Sequence, residues 1–258
     1  MDILVCMKLI SVRRFADQIP SDSPAGRLTS GDLTANPADL TALEAALRLR
    51  DAEGSGRVTV MAMAPAAAEP VLRRCLAMGA DAALHLCDMR FAGADTIATA
   101  GALRAAVELL PPQELILCGQ KSLDSSTGHV GAQLAWLLGR PFLPDVLRLE
   151  KSGETLTMTC AVDGATAVIQ AAPPLLLSLR ASPELVRSPT ILGLRRSLKA
   201  DIRRVTAGEL SFFPEGSSRT RTLMTAEHPF SPRGGRLLSD GPAAAEALAA
   251  ILKGGSEP

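Results

Sequence analysis

Four hydroxyl-bearing residues and two glycines lie within ten positions near the middle of the chain. Hydroxyl groups can donate hydrogen bonds to phosphate oxygens, and glycine lets the backbone approach a phosphate closely. The segment therefore predicts a phosphate-binding loop, with an ordinary polar loop that carries a serine cap as the alternative. The residues are Ser122, Ser125, Ser126, Thr127, Gly128 and Gly131.

This loop lies between a predicted strand and a predicted helix. The apolar run at residues 114–119 is typical of a buried parallel strand, and Val130, Leu134 and Leu137 give the following helix one apolar face. In a doubly wound sheet, ligands bind at the carboxyl ends of the strands, because free backbone N–H groups and the positive end of a helix dipole favour an anion. The position of the loop thus agrees with its composition.

The first 145 residues alternate between strand and helix patterns. We predict strands at residues 3–7, 57–64, 82–87 and 114–119. Asn36-Pro37 predicts a helix start with asparagine as the N-cap, and further helices are expected at residues 66–78, ended by Gly79, and at residues 94–110. This alternation predicts an α/β fold with a doubly wound, mostly parallel, Rossmann-like sheet.

The pattern changes after residue 145. We predict strands at residues 146–150, 156–170 and 175–179, with Asp163-Gly164 as a hairpin turn, and moderate helical periodicity at residues 189–198. Residues 207–240 are rich in Gly, Pro, Ser and Arg, and a last helix is expected at residues 242–253. Residues 1–200 are thus predicted to form the α/β domain, and residues 201–258 an extended arm that wraps a partner or is a loose terminus.

The overall composition excludes several classes of protein. With 27 basic and 27 acidic residues and 3% aromatic residues, the chain does not resemble a nucleic-acid-binding protein. The five cysteines include no C-x-x-C pair, and the three histidines show no metal-ligand spacing, so we expect free thiols and no metal. No signal peptide, apolar run of about 20 residues, catalytic triad or P-loop is evident, which predicts a cytoplasmic protein without membrane insertion and without catalytic residues.

Several motifs, in this order, resemble the beta subunit of electron transfer flavoproteins, including the branch associated with nitrogen fixation. The resemblance covers residues 1 to about 200, and Leu76-Ala77-Met78-Gly79-Ala80-Asp81 matches a family motif outright. The other matching segments are residues 3–8, residues 36–39 followed by 44–49, the loop at 119–131, and Val162-Asp163-Gly164.

The resemblance implies a heterodimer that carries electrons and is not itself an enzyme. An alpha subunit holds most of the FAD, this chain completes the FAD site and holds AMP, and electrons pass from a client dehydrogenase to a quinone oxidoreductase or another acceptor. A bifurcating flavoprotein with a second FAD, or a stand-alone adenine-nucleotide-binding stress-type protein, is the alternative. The nucleotide-binding residues implied are Cys6, Lys8, Asn36, Pro37, Ala38, Asp39, Met63, Asp124, Ser125, Ser126, Thr127, Gly128, His129, Val130, Gly131, Ala132, Gln133, Leu134 and Ala135.

The chain departs from the family pattern at several positions. Ser126 replaces an aspartate and His129 a glutamine in the loop, and Cys160 and Ala165 replace an arginine and a glycine in the hairpin. The partner-docking loop at residues 181–198 has a serine where the family has a leucine anchor before its proline. The docking residues are therefore predicted to be Ser188 and Pro189, with Leu185 or Ile191 as substitute anchors.

Overall fold

The computed structural model describes residues 1–11, 33–182, 186–210, 218, 220 and 241–252. The chain divides into two compact units, Met1–Thr222 and Leu223–Pro258. The strands are β1 (Asp2–Met7), β2 (Leu9–Ser11), β3 (Leu33–Ala35), β4 (Arg57–Met63), β5 (Ala82–Leu86), β6 (Leu115–Gly119), β7 (Phe142–Ser152), β8 (Thr155–Val162), β9 (Ala165–Ala171), β10 (Leu175–Leu179) and β11 (Ile202–Val205). The α-helices are α1 (Pro37–Glu53), α2 (Glu69–Met78), α3 (Thr96–Val107), α4 (His129–Leu137), α5 (Ile191–Lys199) and α6 (Pro242–Leu252).

The first unit is built on a nine-stranded sheet in the order β11-β5-β4-β1-β6-β10-β7-β8-β9. The strands from β11 to β7 are parallel, and β8 and β9 continue the sheet in antiparallel pairing. This arrangement confirms the predicted α/β fold with a mostly parallel sheet.

The central strands are buried on both faces. Ile3 and Val5 of β1 pack in one hydrophobic cluster, and Leu4 and Cys6 pack in the other. Because successive side chains of a strand point to opposite faces, a strand covered by helices on both sides must be apolar throughout. The uninterrupted apolar run at the start of the chain therefore forms the centre of the sheet.

The antiparallel extension follows the predicted hairpin. β8 and β9 are joined by Asp163 and Gly164, whose φ values of 46° and 79° suit a two-residue turn with positive φ at both positions. β7 is longer than predicted and begins at Phe142, where it pairs with β10 before it turns to pair with β8.

Three short strands were not predicted. β2 and β3 form a separate two-stranded antiparallel ribbon between β1 and α1. β11 joins the main sheet beside β5, so the sheet extends past the boundary that was predicted at residue 200. A strand of three or four residues is too short to show the alternation of apolar and polar residues that is typical of strands. The two arginines of β11 also do not suggest a strand at the edge of a sheet.

Helix α5 lies against α2 at a point of close backbone contact. Gly193 of α5 faces the carbonyl of Ala77, with no room for a side chain between them. The guanidinium of Arg73 donates hydrogen bonds to the carbonyl oxygens of Ser197 and Ala200, at 2.6 and 3.2 Å. These contacts hold the helix that begins at Ile191, one of the predicted docking residues.

Helix α6 belongs to the second unit and has exposed apolar side chains at Leu248, Ile251 and Leu252. The predicted wrapping of a partner by the C-terminal residues stays a prediction. Among the residues described, no helix has both the length and the apolar character needed to cross a membrane.

Candidate nucleotide-binding site

A buried aspartate joins the ends of two neighbouring strands. β1 and β6 run side by side, and the backbone N–H groups that follow or end them, at Lys8 and Gly119, both point at Asp39 in the first turn of α1. Its two carboxylate oxygens accept these hydrogen bonds at 2.7 Å each. Asp39 thereby positions the carboxyl ends of both strands relative to α1.

Asn36 connects the same region to the polar loop. It occupies the N-cap position of α1, but its side chain makes no capping hydrogen bond. Its Nδ2 donates to the Lys121 carbonyl at 3.0 Å, and its Oδ1 accepts from the Leu123 N–H at 3.2 Å. The predicted N-cap is therefore correct in position, whereas its side chain holds the loop because the loop backbone offers both a donor and an acceptor.

Lys8 organises the loop from the end of β1. Its ammonium group donates to Asp124 Oδ1 at 2.7 Å, Ser125 Oγ at 3.0 Å and Ser122 Oγ at 3.3 Å. Burial acts to raise the pKa of the Asp124 carboxyl, but hydrogen bonds from Lys8 and Ser122 outweigh it and hold that pKa below its usual range. The carboxylate is thus ionised and neutralised by Lys8 at neutral pH.

Two glycines allow the loop to return to the sheet. Gly128 precedes α4 with φ of 66°, and a Cβ there would lie 3.1 Å from the Gln120 carbonyl oxygen. A Cβ on Gly131 would lie 2.8 Å from Cys118 Sγ, so α4 packs closely on β6. Ser125, Thr127 and His129, the first residue of α4, are exposed at the end of the sheet, where an anion can reach them.

The structure brings most of the predicted nucleotide-binding residues to one end of the sheet. Lys8, Asn36 and Asp39 contact the loop or the strand that leads into it, and Pro37 and Ala38 lie in the same turn of α1. Cys6 is the second-last residue of β1 and pairs with Cys118 of β6. Met63 ends β4, the other neighbour of β1. The loop and α4 supply the rest: Asp124, Ser125, Ser126, Thr127, Gly128, His129, Val130, Gly131 and Ala132.

Three predicted residues on α4 have other partners. Leu134 and Ala135 are each 1% exposed and pack in the hydrophobic cluster beneath the helix. Gln133 Nε2 donates to Thr96 Oγ1 of α3 at 3.1 Å. Packing and helix pairing are therefore the roles that the structure shows for these side chains.

Cys6 and Trp136 are two further side chains near the site, the first buried and the second exposed. Burial, and secondarily the charge of Asp39, raise the pKa of the Cys6 thiol to about 12, so this thiol is neutral and packs as an apolar group. Trp136, the single tryptophan of the chain, is 80% exposed on α4. No sequence pattern had marked this exposed position.

The predicted docking region is only partly described. Leu185 lies outside the described residues, Ser188 and Pro189 precede α5, and Ile191 at the start of the helix is 76% exposed. Leu192 and Leu198 are exposed on the same helix, at 64 and 74%. Helix α5 thus carries an apolar surface that is open within the described structure.

A buried glutamate on α1 fixes the segment that leads to α5. The Glu44 carboxylate accepts hydrogen bonds from Arg187 N at 3.1 Å and Arg187 Nε at 2.8 Å, and it also accepts from Arg48. Arg187 additionally contacts Asp51 at the surface. Sequence reasoning did not find this contact, because 143 positions separate Glu44 from Arg187.

Replacing Glu44 by glutamine is expected to lower the free energy of unfolding by about 2 kcal/mol, because the hydrogen bonds that its charged carboxylate accepts from Arg187 and Arg48 are weakened. The backbone amide of Arg187 should also exchange its hydrogen faster. Asp51→Asn weakens the exposed ion pairs that Asp51 makes with Arg187 and Arg50 and should cost about 0.5 kcal/mol. Urea unfolding and hydrogen exchange measure both effects, and equal losses in the two variants would contradict the anchoring role of Glu44.

Burial raises the pKa of Asp39 from 3.8 to about 6, although hydrogen bonds from the Lys8 and Gly119 amides oppose the rise. The folded protein therefore holds this proton more tightly than the unfolded chain does. The resulting stabilisation is complete below pH 3.8 and is lost as the pH rises through about 6. Relative to Asp39→Asn, which cannot titrate, the native chain should lose about 3 kcal/mol of unfolding free energy as the pH rises from 3.8 to about 6.

Urea unfolding of both proteins between about pH 4 and 7.5 would measure this difference, since the other titrating groups are common to the two chains. A difference that does not change with pH would show that Asp39 titrates as it does in the unfolded chain.

Together, the fold and the site define an α/β protein whose candidate ligand loop lies at the carboxyl ends of a mostly parallel sheet. A family model, the electron transfer flavoprotein domain, matches residues 28–210. The chain belongs to the electron transfer flavoprotein family, as its sequence motifs predicted.

Individual relatives agree with this assignment. The chain is 39% identical over 176 residues to the electron transfer flavoprotein subunit beta of Thermoanaerobacterium thermosaccharolyticum, which covers 68% of this chain and 67% of that protein. It is 34% identical to the protein FixA of Azorhizobium caulinodans, over 65% and 62% of the two chains. It is 30% identical to the caffeyl-CoA reductase-Etf complex subunit CarD of Acetobacterium woodii, over 90% and 88%. These relatives support an electron transfer subunit of the beta type.

Proposed function

We propose that this chain is the beta subunit of a heterodimeric electron transfer flavoprotein, which holds AMP at its polar loop and completes an FAD site on an alpha subunit. The pair carries electrons from a client dehydrogenase to a quinone oxidoreductase or another acceptor, in the cytoplasm. The names of the relatives support the beta-type assignment, and the arrangement of the loop supports the nucleotide.

The observation that carries the proposal is the fixed geometry of the loop at residues 122–131. Lys8 and Asn36 hold it, and Asp39 holds the strand ends that flank it. The donor set fits a phosphate, since exposed hydroxyls and the start of α4 lie together. Asp124, the single carboxylate of the loop, is neutralised by Lys8 and does not repel an anion.

The flavin supplies the redox chemistry when it is bound. The part of this chain is to bind, orient and exclude water, and no residue of it is proposed as catalytic. Burial raises the pKa values of the thiols nearest the loop, Cys6 and Cys118, and keeps both thiols protonated. The site is therefore suited to hold a nucleotide without reacting with it.

Helix α5 is the proposed contact for the client. Ser188 cannot supply the apolar anchor that the family has at that position, whereas Ile191, Leu192 and Leu198 are exposed beside it. Because buried apolar anchors carry much of the energy of an interface, we expect these three side chains to bind the dehydrogenase.

The test is an inventory of bound nucleotides. The chain is produced together with the alpha-type subunit, the purified pair is denatured, and FAD and AMP are quantified by chromatography. One FAD and one AMP per pair support the proposal. Two FAD and no AMP would support a bifurcating flavoprotein, and ATP bound to this chain alone would support a stand-alone nucleotide-binding protein.

Lys8→Met is expected to weaken AMP binding by about tenfold, because it leaves the Asp124 carboxylate unpaired beside the phosphate. Lys121→Met removes the same charge from an exposed side chain just before the loop and should leave AMP binding unchanged. Titration of the nucleotide-depleted pair with AMP measures both variants. Equal affinities of the two variants for AMP would show that Lys8 has no role in AMP binding.

A further inference from the structure

Strand β9 forms one edge of the main sheet. Within the described residues it pairs with β8 alone, so that a row of backbone N–H and C=O groups along its seven residues has no strand partner. An unpaired edge is a template for pairing with another strand, and proteins usually protect such edges.

The two edges of this sheet differ in protection. At the opposite edge, β11 has four residues, of which two are arginines, and short charged strands resist pairing. β9 is longer, and its sequence, Ala-Thr-Ala-Val-Ile-Gln-Ala, contains neither a charged residue nor proline. The edge at β9 thus lacks the charge, the proline and the short length that prevent pairing.

β9 is also held firmly in place. It keeps continuous register with β8 from Ala165 to Ala171, and Ile169 and Ala171 pack against the hydrophobic cluster on one face. On the other face Val168 is 68% exposed. The strand is therefore an uncharged template whose register with β8 is continuous over all seven residues.

The size of the edge indicates what kind of partner fits it. A strand of this length spans about 24 Å and a sheet is about 10 Å thick, so one added strand buries roughly 500 Å² in total over both partners. Stable complexes bury at least about 1,200 Å². Pairing at β9 therefore needs a partner that is held by further contacts, which favours a permanent subunit over a second copy bound at this edge alone.

We propose that β9 pairs with an extended, uncharged strand of the alpha-type subunit, so that one sheet continues across the heterodimer. This rests on the proposed function, which supplies that subunit. The backbone groups of β9 give the affinity, and the uncharged face around Val168 selects against a charged strand, whose desolvation would be costly.

Hydrogen exchange of the full chain, alone and in the heterodimer, tests the proposal. Alternate amides of β9 should exchange at least about tenfold more slowly in the pair, since outward N–H groups gain partners. Amides of β11 should not change. A pair that forms without new protection in β9 overturns this inference and leaves the proposed function standing. Protection that is already present in the chain alone, from its own terminal residues or a second copy, also overturns it.

A pair of substitutions gives an independent measurement. Val168→Lys places a charge on the edge strand and should weaken assembly with the alpha-type subunit by at least about tenfold. Val162→Lys makes the same change on an exposed valine at the hairpin end of β8 and should leave assembly unchanged. Equal effects of the two variants would overturn the pairing. Complete failure of the native chains to assemble would overturn the proposed heterodimer as well.

Discussion

Alanine in place of Gly119 is expected to lower the free energy of unfolding by about 3 kcal/mol and to weaken nucleotide binding as well. Gly119 ends β6, where its N–H donates to the buried carboxylate of Asp39. A Cβ at this position would overlap that carboxylate and lie 2.7 Å from the Cβ of Ala38. Asp39 cannot withdraw without losing the hydrogen bond that it also accepts from the Lys8 N–H.

The consequences of this overlap should reach the loop. Displacement of Asp39 would move the ends of both β1 and β6, and with them Lys8 and the start of the loop that it holds. Chemical unfolding and AMP titration of the heterodimer measure the two effects. Gly208→Ala is the matched control, because its nearest neighbour is the flexible end of Arg90 at 3.3 Å. A Gly119→Ala protein as stable as this control would contradict the role assigned to Asp39.

Gly193→Ala is expected to cost about 2 kcal/mol and to separate α5 from α2. The added methyl would overlap the carbonyl oxygen of Ala77 and lie 3.0 Å from its carbonyl carbon. Since the obstacle is backbone of a buried helix, α5 must move and lose the hydrogen bonds that Arg73 donates to its C-terminal end.

The effect should be local, which separates it from that of Gly119→Ala. Amides of α5 should exchange faster and binding of the proposed client dehydrogenase should weaken, while the proposed AMP site keeps its affinity. Gly101→Ala, also within a helix but with open space around the new methyl, should be neutral or slightly stabilising. Unchanged exchange in α5 of the Gly193→Ala protein would show that the two helices are not held by this contact.

The parts of the fold that depend on local chemistry could be predicted from the sequence. The apolar run of β1 and the Asp163-Gly164 turn are each determined by the residue types within a few positions. β11 could not be predicted, since four residues with two arginines form a strand only because β5 is already in place beside them. Tertiary pairing decided the structure of that segment.

The candidate site also has a part that could be predicted from the sequence and a part that depends on tertiary contacts. Convergence of Lys8, Asn36 and the loop was implied by the family resemblance, and it agrees with the rule that carboxyl ends of parallel strands meet at one edge. The bonds that fix the geometry were not, because Asp39 reaches amides 31 and 80 positions away along the chain. Leu134 and Ala135 were assigned to the ligand from the family motif, whereas the orientation of α4 turns them into the core.

The exposed indole of Trp136 gives this protein a built-in optical reporter. It is the single tryptophan, and the chain contains no tyrosine, so the ultraviolet emission comes from one position on α4. Helix α4 begins within the last residues of the loop, and the indole is exposed to solvent. A ligand that binds at the loop or a partner that covers the helix should shift the emission wavelength of this single fluorophore and change its quenching, without a label or an engineered residue.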